Sequence, residues 1–200
     1  MSASRVSLGI TGGIGTGKTY FCRLLEEKGI PVFYTDIEAK REMQENDSIK
    51  SRLPALVSPE VYDVNGLLNR LLVSRFISRG PAFAHQVDAI VHPAVKARWL
   101  RWLSQRTEPV VAMECALLFE SGFRSLVDAV VCVTAPLALR LQRVMKRDGR
   151  TEEEVHRLMA LQANEEEKQR QSDIIILNDG KSDLCLQVEQ LLLRIEKKNT

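Results

Sequence analysis

Gly9-Ile10-Thr11-Gly12-Gly13-Ile14-Gly15-Thr16-Gly17-Lys18-Thr19 is the stretch from which the rest of this chain can be read. Gly12 and Gly17 frame four residues and Lys18-Thr19 follow, so the segment fits G-x-x-x-x-G-K-[ST], a phosphate-binding loop. The apolar run Val6 to Ile10 leads in as a strand, and Tyr20, Phe21, Leu24 and Leu25 lead out as a helix. Glycines at 12, 13, 15 and 17 let the backbone fold back, so that the amides from Gly12 through Ile14, Gly15 and Thr16 to Thr19 point inward at phosphate oxygens. The dipole and free amides of the following helix reinforce that preference for an anion. Lys18 is expected to reach the outer phosphates and the Thr19 hydroxyl to ligate Mg2+, so the chain is read as binding a nucleoside triphosphate.

Working outward, the first helix spans Lys18 to Lys28 and stops at Gly29 and Pro31. Its ten or so residues carry the chain roughly 15 Å from the loop. The short strand Val32-Phe33-Tyr34 and its flanks bring it back at about 3.3 Å per residue. Asp36 is therefore expected at the carboxyl edge of a parallel sheet, level with the loop, where ligands sit in open α/β folds. From Glu38 to about Arg106 strand-like runs vanish and helical spacing dominates, in Asn69 to Ser78, Pro81 to Val91 and Pro93 to Leu103, with turns near Pro59 and Asn65-Gly66. The sheet resumes at Val110 to Met113, followed by Leu117-Leu118-Phe119. Ala129 to Val133 is a nearly unbroken apolar strand, as expected of one covered on both faces. Pro136 opens a helix at a favoured first position. The last strand, Ile174 to Leu177, closes at Asn178-Asp179-Gly180, and Leu184, Val188, Leu191, Leu192 and Ile195 form a packing stripe on a final helix.

These alternations predict a three-layer α/β fold of the phosphate-loop NTPase type, with a mainly parallel sheet of about five strands. Residues 1–36, 107–136 and 173–200 are expected to form a nucleotide-binding core, 37–106 an inserted helical substrate domain, and 137–172 a helical lid. With 44% hydrophobic and 27% charged residues, the composition is that of an ordinary soluble globular protein. A net charge of +2 gives no ground for a nucleic-acid partner. The four cysteines, Cys22, Cys115, Cys132 and Cys185, lie far apart, and Cys115 and Cys132 read as small buried hydrophobes. No apolar run reaches membrane-spanning length and the first residues lack a signal-peptide core, so a reduced, cytoplasmic setting is expected.

Beyond the loop, Asp36 is the sharpest candidate. Its carboxylate would accept the proton of a substrate hydroxyl as a phosphoryl group transfers, or cap the helix that continues at Glu38-Ala39-Lys40; both roles can coexist. A carboxylate is a weak base toward an alcohol, so its main work would be orienting the hydroxyl. Arg140, Arg143 and Arg147 fall at i, i+3 and i+7 on one helix face. That face is either solvated and paired with Glu152, Glu153 and Glu154, or a lid whose Arg140 and Arg147 touch the spreading charge of a transferring phosphoryl group. Glu114 ends the third strand, where it would hold the metal, bond through water, or anchor the turn. His92-Pro93 joins two insertion helices, and His92 is either structural or a substrate contact.

No N/T-K-x-D guanine-reading motif is present, and the third strand ends Met113-Glu114-Cys115-Ala116 rather than in the Asp of mechanical ATPases. A small-molecule kinase fits better, since an insertion and a lid can exclude the water that would otherwise hydrolyse ATP. The phosphate loop, Thr35-Asp36-Ile37-Glu38-Ala39-Lys40, Ile90-Val91-His92-Pro93, Leu117-Leu118-Phe119-Glu120, Arg140 to Asp148 and Asp173 to Asn178 together resemble the dephospho-coenzyme A kinase family over nearly the whole chain. The resemblance implies ATP- and Mg2+-dependent phosphorylation of the ribose 3′-hydroxyl of dephospho-CoA; small-molecule partners without nucleic acid or membrane are expected, with the oligomeric state left open and a monomer favoured. It implies Asp36, Lys18 and Arg140 as catalytic residues, Arg147 as a lid contact to ATP, and Asn178 near the adenine. Residues 37–106 become the CoA-binding domain, with His92 and Asp36 at the acceptor, and Glu114 reaches a metal-bound water. The chain departs from the family in reading Tyr34-Thr35-Asp36 for Asp-Ala-Asp and Glu114-Cys115-Ala116-Leu117-Leu118 for Asp-x-Pro-Leu-Leu, and its insertion is compressed after Leu53-Pro54. Alternatives are another metabolite kinase, of the nucleotide or shikimate type, and a nucleotide-binding regulatory module without turnover.

Overall fold

Strands β1 (Val6–Thr11), β2 (Val32–Tyr34), β3 (Val110–Glu114), β4 (Ala129–Thr134) and β5 (Ile174–Leu177) form an all-parallel sheet in the order β2-β3-β1-β4-β5. The computed structural model describes residues 5–160, 162 and 164–198. Residues 1–4 and 199–200, at the ends of the expected core, and 161 and 163, within the expected lid, lie outside the described residues.

The chain divides into two compact units, one of residues up to Phe33 and from Thr107 onward, the other Tyr34–Arg106. In the first, β1 is central, with Leu8 opposite Ala112 of β3 on one side and opposite Ala129 of β4 on the other. Leu8, Ile10, Val111, Met113 and Val130 to Val133 are sealed from solvent, which is why their strands read as continuous apolar runs. Helix α1 (Lys18–Glu27) covers them with Phe21, Leu24 and Leu25, and α9 (Leu184–Lys198) with Leu184, Val188, Leu191 and Ile195. At the amino end of the sheet Asp128 takes the backbone and hydroxyl hydrogens of Ser7 at 2.7 and 2.6 Å. Successive strands are laid to either side of β1, so a crevice opens at its carboxyl end, where the phosphate loop lies.

Helices α6 (Leu137–Asp148), α7 (Glu152–Ala160) and α8 (Glu165–Arg170) occupy the expected lid span. Pro136 stands at the N-cap of α6 rather than at its first position, and its carbonyl accepts from the Arg140 amide at 3.0 Å. Leu117-Leu118-Phe119 lie in a turn, with Leu118 fully buried.

The second unit comprises α2 (Thr35–Glu45), α3 (Asp47–Leu56), a 3-10 turn at Pro59–Val61, α4 (Arg70–Ile77) and α5 (Pro81–Ser104). Between the 3-10 turn and α4, the Asp63 carboxylate takes the amides of Asn65 and Leu67 at 2.9 and 2.8 Å and fixes the Asn65-Gly66 turn. The expected break at His92-Pro93 is not there: α5 runs through Pro93 without interruption. Proline removes the hydrogen bond to residue 89, but Ala89 and Pro93 are both exposed, so water can take the freed carbonyl and the ring stays out of the packed face. Val87, Ile90, Val91, Val95 and Trp99 carry the buried stripe across the proline unbroken.

Candidate active site

The loop between β1 and α1 is shaped by close approaches that leave no room for side chains. Gly12 (φ 141°) and Gly17 (φ 92°) have left-handed backbones, and a Cβ on either would collide with the Val133 carbonyl or the Asn178 side chain. Buried Thr16 donates its hydroxyl to the Gly13 carbonyl at 2.9 Å. Lys18 begins α1, and its Nζ donates to the carbonyls of Gly12 and Gly13 at 2.9 and 3.0 Å, which draws the ammonium into the curve of the loop. Thr19 is exposed.

Helix α6 supplies guanidiniums to the same loop. Arg140 is 8% exposed, and its Nε donates to the Ile14 carbonyl at 2.9 Å. One turn on, Arg143 Nη1 lies 3.4 Å from the carbonyls of Gly15 and of Thr16, and its Nη2 donates to Asn178 Oδ1 at 3.1 Å. Val144, buried, packs its side chain against the loop at Gly15. Asn178 hangs from the end of β5, its amide donating to the Thr134 carbonyl at 2.8 Å, and its side chain donates to the Thr16 carbonyl at 2.8 Å. Arg147 instead forms a two-pronged pair with Asp148 at 2.7 and 2.8 Å on the exposed end of the helix. That hydrogen bond raises the guanidinium's pKa and lowers that of Asp148.

Two further residues reach the loop from the segment after α7. Glu165 Oε2 accepts the Gly13 amide at 3.0 Å and lies 3.2 Å from Arg140 Nη1, while Gln162 Oε1 accepts the Ile14 amide at 3.0 Å. A cleft of about 420 Å³ opens beside them, walled by Gly13, Leu137, Arg140, His156 and Met159. Nothing in the sequence singled out Glu165 or Gln162. The first heads an acidic run capped by Asn164, which looks like ordinary helix-start chemistry. Lys168 was missed as well: fully buried, it donates to the Ala116 carbonyl at 2.7 Å, lies 3.2 Å from Glu120 Oε1, and so clamps the turn after β3. Glu114, half-buried, ends β3 opposite Ile10. Its charge, after burial, helps push the Cys22 thiol up. Burial likewise lifts Cys132 to about 11, and of the cysteines only Cys185 is exposed.

In the helical unit Asp36 is the second residue of α2, directly after β2, and is exposed. The N-cap of that helix is Tyr34, with no side-chain bond, so Asp36 does not serve as the cap; its charge sits in the first turn, where the helix dipole favours it. His92 is half-buried on α5 with Nε2 3.3 Å from Asp88 Oδ1. Burial pushes the imidazole below its ordinary value and the Asp88 carboxyl above its own. Arg98 of α5 pairs with Glu38 and, at 2.9 Å, with Glu42, tying α2 to α5.

Among the described residues no cluster of three His, Cys, Asp or Glu side chains is arranged to hold a metal, and no helix is long and apolar enough to cross a membrane. The geometry of the first unit is thus that of an anion cradle: inward amides, one lysine and two arginines on one loop.

The match to known proteins agrees with that cradle and extends it. The model of the dephospho-CoA kinase family matches residues 6–183. Dephospho-CoA kinases of Bacteroides fragilis and Porphyromonas gingivalis are 37% and 34% identical over 194 residues, 96% of this chain in both cases and 94% and 96% of those proteins. A crystal structure from Thermus thermophilus superposes with a TM-score of 0.84 at 32% identity, covering 96% of this chain and 97% of that one. An Acinetobacter baumannii shikimate kinase shares the fold alone, at a TM-score of 0.53 and 17% identity over 99% of this chain and 96% of that one. With its phosphate loop, the arginines of α6 and its helical unit all inside the matched span, the chain belongs to the dephospho-CoA kinase family.

Proposed function

We propose that this protein transfers the γ-phosphoryl group of ATP to the ribose 3′-hydroxyl of dephospho-CoA, giving coenzyme A and ADP. The observation that carries the reading is the family match across residues 6–183, because it takes in both the phosphate loop and the helical unit. Residues 37–106 would then bind the acceptor, and α6 to α8 would act as the lid.

In this reading the amides of residues 13–19 and Lys18 hold the β- and γ-phosphates. Lys18 exchanges its bonds to the Gly12 and Gly13 carbonyls for phosphate oxygens. Arg140, already against the loop, faces the charge that spreads over the phosphoryl oxygens as the bond to the ADP oxygen breaks. Arg147 would leave Asp148 to join it. Asp36, in the first turn after β2, orients the 3′-hydroxyl, and its carboxylate takes the hydroxyl proton late, as the new O–P bond forms. Asn178 holds the loop and the end of β5 together beside the base. His92 contacts the acceptor as a neutral imidazole, which burial favours. The exposed Thr19 hydroxyl and, through water, the Glu114 carboxylate are oxygen donors of the kind Mg2+ takes when it also binds phosphate, and they would hold it. The ion would supply neutralisation of phosphate charge. Small-molecule substrates and a cytoplasmic setting accompany this reading.

Purified protein given ATP, Mg2+ and dephospho-CoA is expected to yield a product carrying one added phosphate on the ribose 3′ position by mass spectrometry. Phosphorylation of shikimate or nucleoside monophosphates, with dephospho-CoA left untouched, would contradict it.

A further inference from the structure

The donors that a polyphosphate needs at this loop are engaged by side chains of the lid. One carboxylate oxygen, Glu165 Oε2, takes the Gly13 amide at 3.0 Å and faces the buried Arg140 guanidinium at 3.2 Å. Gln162 holds the neighbouring Ile14 amide at 3.0 Å. A Cβ added to Gly13 would run into both Glu165 Oε2 and Arg140, so the three groups are closed upon one another. We propose that Glu165 is an internal phosphate mimic: a latch that occupies the amide-and-arginine anion site and must be displaced by the incoming polyphosphate of the nucleotide.

Three observations carry this beyond ordinary lid packing. First, the carboxylate sits on the same donors, a loop amide and an arginine, that bind phosphate, so the two anions exclude each other. Second, Glu165 neutralises Arg140, a guanidinium 8% exposed, and so lets the cation stay preorganised against Ile14. Third, the hold is incomplete: Glu165 Oε1 is buried with no hydrogen-bond partner among the described residues. A carboxylate satisfied through one oxygen is a poorer occupant than a phosphate with three, which makes the contact releasable. Glu165 sits at the first position of the six-residue helix α8 and Gln162 two residues before its Asn164 cap, so their displacement would free Gln162 and the start of α8 from the loop. The latch would hold the lid against the loop until nucleotide arrives and would lower apparent nucleotide affinity by the fraction of time it is closed.

The inference rests on the loop being a nucleotide site. ATP and inorganic tripolyphosphate, each titrated calorimetrically without acceptor into the parent protein, Glu165→Gln and Glu165→Asp, test it. Both variants are expected to bind roughly 3- to 10-fold more tightly than the parent, because a neutral amide gives up the charge attraction to Arg140 and a shortened carboxylate no longer reaches the Gly13 amide. Hydrogen–deuterium exchange supplies a readout independent of activity: the Gly13 and Ile14 amides should exchange slowly in the ligand-free parent and the Gly13 amide faster in Glu165→Asp. Unchanged or weaker binding in Glu165→Gln, parent-like binding in Glu165→Asp, or equal Gly13 exchange in the parent and Glu165→Asp overturns the latch. A parent that binds ATP but leaves dephospho-CoA unphosphorylated overturns the kinase reading while these binding differences still support the latch. If no protein binds either polyphosphate, both fall.

Discussion

His92 shows how a single side chain ties the fold to pH. Burial disfavours its charged form, and nearby Lys96 and His85 push the same way, while Asp88 opposes them. Its pKa accordingly lies below the ordinary 6.5 of histidine. As pH falls through about 6.5 the unfolded chain binds more protons than the folded one, and the stability carried by neutral His92 is lost there. Asp88 has the opposite slope: burial raises its carboxyl above 3.8, so its share is complete in acid and is lost as pH rises through the folded value. An NMR titration is expected to place the His92 midpoint below 6.5, and His92→Gln should flatten the stability profile between about pH 5 and 7. A midpoint at or above 6.5 would contradict this assignment. A neutral imidazole is also the form that avoids repulsion from Lys96 and His85 on its own helix.

At the scale of elements, α5 bears a defect that its packing tolerates. Pro93 removes one backbone bond in the middle of a 24-residue helix, at a cost of up to about 3 kcal/mol that the exposed Ala89 carbonyl partly recovers from water. Pro93→Ala should therefore raise stability by about 1–3 kcal/mol in urea unfolding; a loss would mean that the proline ring contributes packing the exposed position does not suggest. The case also shows what the sequence made legible. Val110 to Met113, Ala129 to Val133 and Ile174 to Leu177 were readable as strands because each is a short apolar run between turn residues; the first two are buried along most of their length, whereas Ile175 and Leu177 of the edge strand are exposed. The loop was readable from local spacing alone. Pro93 was misread as a boundary because a local steric rule was applied where the stripe from Val87 to Trp99, a longer-range signal, decided the outcome. Gln162, Glu165 and Lys168 escaped notice for a different reason. Their partners lie 148, 152 and 52 residues away in sequence, and such pairings leave no periodic mark.

Across the whole molecule, one unit carries the anion cradle and the other carries Asp36 and His92, a division suited to a two-substrate transfer. The cradle is built from a loop whose amides, Lys18, Arg140, Arg143 and Asn178 are all held by hydrogen bonds within the first unit. In the proposed mechanism nucleotide binding and acceptor activation are therefore separable: the loop grips the triphosphate, and Asp36 lines up the alcohol. Asp36→Asn keeps the side chain's size and removes its charge. Calorimetric ATP affinity together with the rate of CoA formation in this variant tests that separation most directly. Turnover should fall roughly 10²-fold or more with the ATP dissociation constant unchanged; turnover equal to that of the parent protein would contradict the account.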